Sequence, residues 1–349
     1  MISKEADAVV ALRPHFPSGI PPCTAAGGGA SALSNADTMV LVRTPKINLI
    51  RIGYRVMARH RGTYKPDREE PYELSRGRLE ALITCEACFW LDRARGVKFP
   101  SIPGFLLNTN TDTLLKKDFD QFRGKGPHPV MSAAGLSHLR PFAHEDIEKW
   151  ESSLQFGSSP SHFNTIHEET NILFGGGLDD VWENIESGEL HIVDYKSTAQ
   201  MSMTPAPLDQ SFIAPPKELT KKDYKAGYRR QMEMYQWILR RKGFSVSDTG
   251  YFLYVDGQHI NESGMIDPED PSQAWMRFNT AIIPFVGNDS WVETALIRAK
   301  NTLEEANCPR HSDGCEHGKF IEQVSAELMI GPEVGSNIIC EYGPAPEED

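Results

Sequence analysis

Cysteine is scarce in this chain, with six in 349 residues, too few to staple a disulfide scaffold. No apolar run is long enough to span a bilayer, and the N-terminus lacks the continuous apolar stretch of a signal peptide. The expectation is a soluble, cytoplasmic protein with no membrane partner. Positive charge is also short: 36 Lys and Arg stand against 48 Asp and Glu, for a formal net charge of −12. That balance argues against a protein that coats nucleic acid over its whole surface, while leaving room for a local basic groove. Internal repeats are missing. So is a Gly-x-x-x-x-Gly-Lys-Ser/Thr phosphate loop, which means that any helicase motor has to come from another chain.

What is present is enough apolar content, 40%, for one large domain or a domain with appendages. Residues 1–70, with the Gly-, Ala-, Ser- and Pro-rich "SGIPPCTAAGGGASALSNAD", read as a poorly structured segment, and residues 336–349 as a frayed acidic tail. Between them, residues 71–335 read as one domain. Apolar residues at helical spacing predict helices over 73–96, over "TDTLLKKDFDQFRGKG" and over "HEDIEKWESSL". The period then changes. "TNILFGGGLDDVWEN" and "GELHIVDYKS" are short, apolar and β-branched, and the turn signal "IESGE" separates them, predicting a hairpin. A helix from Tyr224 to Lys242 with Gly243 as its stop, a buried strand at "TGYFLYVDG" and a helix over 291–306 complete the pattern. The fold class expected is α/β, with a mixed central sheet flanked by helices.

The hairpin carries the chemistry. Side chains alternate along a strand, so Ile192, Asp194 and Lys196 share one face and Val193 and Tyr195 the other. Two polar groups on a core-facing row at a strand end are costly unless something binds them. Mg²⁺ is such a partner, because it takes hard oxygen ligands, commonly one or two carboxylates plus waters and phosphate oxygens. Asp179 and Asp194 would supply the carboxylates and the Tyr195 carbonyl a further oxygen, while Lys196 would position a water and offset developing charge. Three glycines at 175–177 would let a substrate backbone come close. The string "DYK" recurs at 223–225, but that copy follows no apolar strand and has no Gly-x-Leu-Asp partner upstream. Downstream, Gln231 and Tyr235 share a helical face, and Lys217, Lys221, Lys222, Lys225, Arg229 and Arg230 cluster in front of them, as a phosphate-binding surface would.

Gly-Gly-Leu-Asp (176–179), Asp-Tyr-Lys (194–196) and Gln-x-x-x-Tyr (231–235), in this order, resemble the PD-(D/E)XK nuclease superfamily. More narrowly, they are similar to its RecB-type branch, which includes the RecB and AddB nuclease domains and CRISPR-associated adaptation nucleases. The resemblance covers roughly residues 73–320. It implies a restriction-endonuclease-like core and Mg²⁺- or Mn²⁺-dependent cleavage of DNA, at ends or in single strands, in repair, recombination or defence. Under it Asp179 and Asp194 are metal ligands, Lys196 is the catalytic lysine, Gln231 orients the lysine or the water, and Tyr235 contacts DNA beside Lys225, Arg229 and Arg230. The branch often adds a histidine ligand upstream, for which His144 is the candidate although its usual Gly-x-x-x-His setting is missing. The alternative is a catalytically silent DNA- or partner-binding subunit of a nuclease–helicase complex.

Several RecB-type nucleases hold an iron–sulfur cluster with one cysteine before the core and three after it. "CEACFWL" resembles the leading segment with Cys85, and Cys88 is additional; "CPRHSDGCEHGKF" supplies Cys308 and Cys315, with Gly318 where the pattern wants a further cysteine. Cys85, Cys88, Cys308 and Cys315 would hold a [4Fe–4S] cluster or a zinc ion. His311 and His317 would favour zinc if one of them replaced a cysteine.

Overall fold

The computed structural model describes residues 62–100, 104–152, 157–218, 222–260 and 262–327, all within one compact unit. The segment expected to lack structure lies outside the described residues up to position 61, as do the acidic tail, Cys23 and Cys340. Residues 62–70 are described. Tyr64 is buried, its N–H donating to the Arg93 carbonyl at 2.7 Å and its hydroxyl to Glu304 Oε1 at 2.9 Å.

The chain is mixed α/β, with two mixed sheets where one was expected. The smaller has three strands, in the order β1 (Tyr72–Ser75), β4 (Ile172–Gly175), β3 (Asn164–His167), with β1 and β4 parallel. The larger has five, in the order β2 (Leu139–Pro141), β5 (Asp180–Asn184), β6 (Leu190–Thr198), β7 (Thr249–Gly257), β8 (Phe278–Val286). Only β6 and β7 run parallel within it. A parallel pair needs a crossover, and α7 (Ala226–Arg241) lies in that connection.

β5 and β6 form the expected hairpin. Its turn closes through local chemistry: Asn184 Oδ1 accepts the N–H groups of Glu186 and Ser187 at 3.0 and 3.2 Å, and Gly188 takes the left-handed φ of +72°. Alternation along β6 and β7 then sends side chains to two cores. Ile192, Phe252 and Tyr254 pack with Met232, Tyr235 and Ile238 of α7, Leu79 and Leu82 of α1 (Arg76–Thr84) and Leu296 of α8 (Val292–Glu304). On the other face Val193, Tyr195, Tyr251 and Leu253 pack with Phe119 of α3 (Leu106–Asp120) and Met131 of α4 (Pro129–Ala133). Each fully buried large apolar side chain contributes roughly 1.5–3 kcal/mol, so both faces hold this sheet in place.

Several expectations change. The single helix over 73–96 is instead β1, α1 and α2 (Glu86–Arg93), because pairing with β4 draws Tyr72–Ser75 into an extended strand and Cys85 breaks the helix at φ −162°, ψ 110°. "TNILFGGGLDDVWEN" splits into β4 and β5, which belong to different sheets. The helix over "HEDIEKWESSL" shrinks to α5 (Ile147–Glu151). β8 and α9 (Glu316–Glu327) were not anticipated. The stop of α7 is as read: Gly243 has φ +93° and donates to the Arg240 carbonyl at 2.9 Å. Among the described residues no helix is long and apolar enough to cross a membrane.

Candidate active site and metal centre

The edge shared by β5, β6, α7 and α3 gathers the hairpin's charges. Asp179 immediately precedes β5, and its Oδ2 accepts the backbone N–H of Tyr195 at 2.9 Å, which fixes it beside Asp194 on β6. Asp194 is buried. Its Oδ1 accepts Gln231 Nε2 from α7 at 2.8 Å, and its Oδ2 is in contact with the Lys196 ammonium. Lys196 also donates to the Tyr195 carbonyl at 3.3 Å, the oxygen expected to face a metal, and lies over the Tyr228 ring at 4.9 Å.

Burial pushes the Asp194 carboxyl up, Lys196 pulls it down, the neighbouring Asp179 carboxylate pushes it up again, and it stands at about 7. For Lys196, burial works against the ammonium, but Asp194 and Asp179 outweigh it and hold the group above the ordinary lysine value. Lys196 is therefore a fixed positive charge at neutral pH. The site is open to solvent on the Asp179 side, where that side chain keeps 21% of its exposure while Asp194 keeps 1%.

The adjacent aspartates have opposite surroundings. Asp180 turns to the other face of the sheet, where it is fully buried, ion-paired to Arg123 Nη1 at 2.9 Å, and accepts from the Tyr195 hydroxyl at 2.8 Å and Trp182 Nε1 at 3.1 Å. It is a buried structural pair.

α3 brings residues to the site that the motifs did not name. Lys116 Nζ lies 4.0 Å from Asp179 Oδ1 and 3.5 Å from Asp112 Oδ2, one helical turn away. Burial and Asp179 raise the Asp112 carboxyl, against the pull of Lys116 and Lys196. Thr111 bonds Ser197, the residue after Lys196. The available signal was the i, i+4 pair of Asp112 and Lys116 on a helix otherwise carrying Leu114 and Leu115.

Other expected residues are engaged in the chain's own contacts. Tyr235 is buried, 3% exposed and edge-on to Phe163 at 5.3 Å, so its ring is a core group and does not face solvent. Arg230 forms a two-point pair with Glu80 of α1, at 2.9 Å from Nε and 2.5 Å from Nη2, and Arg229 pairs with Asp223 and donates to the Ile213 carbonyl at 2.6 Å. Lys225 sits over the Phe212 ring at 3.4 Å. His144 accepts the Asp146 N–H at 3.1 Å and stacks on Trp150 at 4.5 Å, a local turn and packing arrangement. Two of the three glycines serve the chain's own packing: a Cβ on Gly175 would lie 2.6 Å from the Phe163 carbonyl oxygen, and one on Gly176 would lie 2.8 Å from the Tyr235 ring.

Among the described residues, the one group of three or more Cys, His, Asp or Glu side chains close enough to share an ion is Cys85, Cys88, His311 and Cys315. Among the described residues, Asp179 and Asp194 have no third such ligand close enough to share an ion. The four-residue group could hold a metal such as zinc or iron. It corrects the expected ligand set: His311 stands where Cys308 was expected, and Cys308 instead lines a cavity against Thr294, Ile297 and Asn301 of α8. Burial opposes the Cys85 thiolate, but N–H groups of Cys88 and Ser312 and the His311 ring outweigh it and bring that thiol down to about 6, while burial and its thiol neighbours push Cys88 up.

The chain matches no protein-family model, no curated protein and no solved structure.

Proposed function

We propose that this chain is a Mg²⁺- or Mn²⁺-dependent deoxyribonuclease built on a restriction-endonuclease-like core of the RecB type. In this reading it acts in the cytoplasm on DNA ends or single strands, alone or with a helicase partner. The observation that carries the reading is the juxtaposition of Asp179, Asp194, Lys196 and Gln231 from three separate segments. A buried carboxylate beside a second carboxylate suits a divalent cation, which would lower the pKa of a bound water and stabilise charge on the scissile phosphate. Asp179, the more exposed of the two, faces the side from which substrate would enter. Gln231 holds Asp194 in one rotamer, so its second oxygen keeps a fixed direction. Lys196, permanently charged, offsets negative charge as the phosphate is attacked. Lys116 and Asp112 extend the polar rim on the α3 side.

The test is labelled single- and double-stranded DNA incubated with the whole chain in Mg²⁺ and in EDTA. Cleavage in Mg²⁺ that EDTA abolishes is the expected result. DNA that is bound in Mg²⁺ but never cut would instead identify a silent binding subunit.

A further inference from the structure

We infer that Cys85, Cys88, His311 and Cys315 hold a single zinc ion, which fastens the start of the domain to its C-terminal segment. The ligand spacing separates zinc from a cluster. Cys88 Sγ lies 3.4 Å from Cys315 Sγ and 3.7 Å from His311 Nδ1. His311 Nδ1 lies 3.4 Å from Cys85 Sγ and 3.6 Å from Cys315 Sγ, and all four ligand atoms fall within 4.8 Å of one another. A tetrahedral zinc with Zn–S of about 2.3 Å and Zn–N of about 2.0 Å puts its ligand atoms roughly 3.5–3.8 Å apart. A cubane cluster bonds each ligand to a different iron, which spreads the ligating atoms to roughly 6 Å, and no such space lies between these four.

The local chain is shaped for this set. Cys85 sits at the break between α1 and α2 in extended conformation, and Cys88 lies in the first turn of α2, so both sulfurs reach the same point. His311 and Cys315 approach from the turn before α9. Backbone N–H groups of Ser312 and Gly318 donate to the sulfurs of Cys85 and Cys315, each at 3.4 Å, as the outer shell of a thiolate site does. Gly318 explains the histidine: a Cβ there would lie 2.7 Å from His311 Cγ and 3.1 Å from its Nδ1. The imidazole occupies the space a residue-318 side chain would fill, so a cysteine at 318 and a ligating His311 exclude each other. His317 stands outside the set. It comes within 3.9 Å of Cys88 but stacks on Phe99 at 4.4 Å.

With four protein ligands the ion has no open position, so it is structural. It joins residues 227 positions apart in sequence. Binding converts the thiols to thiolates and releases their protons to solvent.

Elemental analysis of the whole purified chain tests this without any DNA, so its outcome is separate from that of the nuclease assay. One zinc per chain, no iron and no sulfide are expected, and cobalt(II) loading should give the intense visible bands of a tetrahedral thiolate site. Cys308→Ser and His317→Ala should keep the metal; His311→Ala should lose it, and His311→Cys should regain it with added thiolate-to-cobalt absorption. Iron with matching sulfide, a Cys88–Cys315 disulfide in place of metal, or loss of metal in Cys308→Ser with retention in His311→Ala would overturn the proposal.

Discussion

At the scale of single residues, the two adjacent aspartates divide their work by direction. Asp180 enters the ladder of β5 opposite Val193 and points into the core around Trp182, whereas Asp179, one step earlier, faces Asp194 and Lys116. The Gly-Gly-Leu-Asp motif points to Asp179, and period-two alternation along β6 puts Asp194 and Lys196 on one face; both follow from local sequence. His311 was harder to see, because its place among the ligands depends on the space that Gly318 leaves, a contact set by the turn before α9. Glu151 was not legible at all. Burial between α5 and α3 pushes its carboxyl up, with Asp120 and Asp180 adding to the effect against Lys116 and Arg123, to about 7. The folded chain therefore holds a proton there that the unfolded chain has released, and this group costs stability as pH rises from the ordinary glutamate range to about 7. Glu151→Gln should be the more stable protein at pH 7 by on the order of 1 kcal/mol, allowing for solvent screening of a partly exposed side chain, and the gap should close toward pH 4. Urea unfolding of both proteins across that range measures the difference.

Among the elements, those with a strong local period were readable and those made by distant pairing were not. α7 shows why. Its residues from Gln231 to Leu239 are nearly all buried, and its basic last turn and Gly243 mark its end in sequence as in structure. β1, by contrast, reads as the start of a helix, and becomes a strand only because β4, a hundred residues on, pairs with it. β8 carries Pro284 and a half-exposed pattern at a sheet edge, which blurs both strand and helix signals. The Gly-rich junction between β4 and β5 was read as room for substrate, and its first two glycines instead admit Phe163 and Tyr235. Gly176→Ala should therefore cost roughly 1–3 kcal/mol by overpacking against a buried ring. Chemical denaturation checks this, and an unchanged midpoint would mean that the ring has room to move.

Across the whole molecule, packing links the two candidate metal centres. The Cys/His group sits at the junction of α1 and α2; α1 presents Glu80 to Arg230; and the next residue of α7, Gln231, donates to Asp194. A basic patch on an acidic chain read as a nucleic-acid surface, yet Arg229 and Arg230 spend their charge within this framework, which sequence clustering alone could not reveal. The proposed hydrolytic centre joins Asp179, Asp194 and Lys196, and Lys196→Ala addresses it most directly. With its circular dichroism and melting curve close to those of the parent, the variant should cut DNA in Mg²⁺ at least roughly a hundredfold more slowly under single-turnover conditions. Cleavage at the parent rate by that folded variant would contradict the assignment.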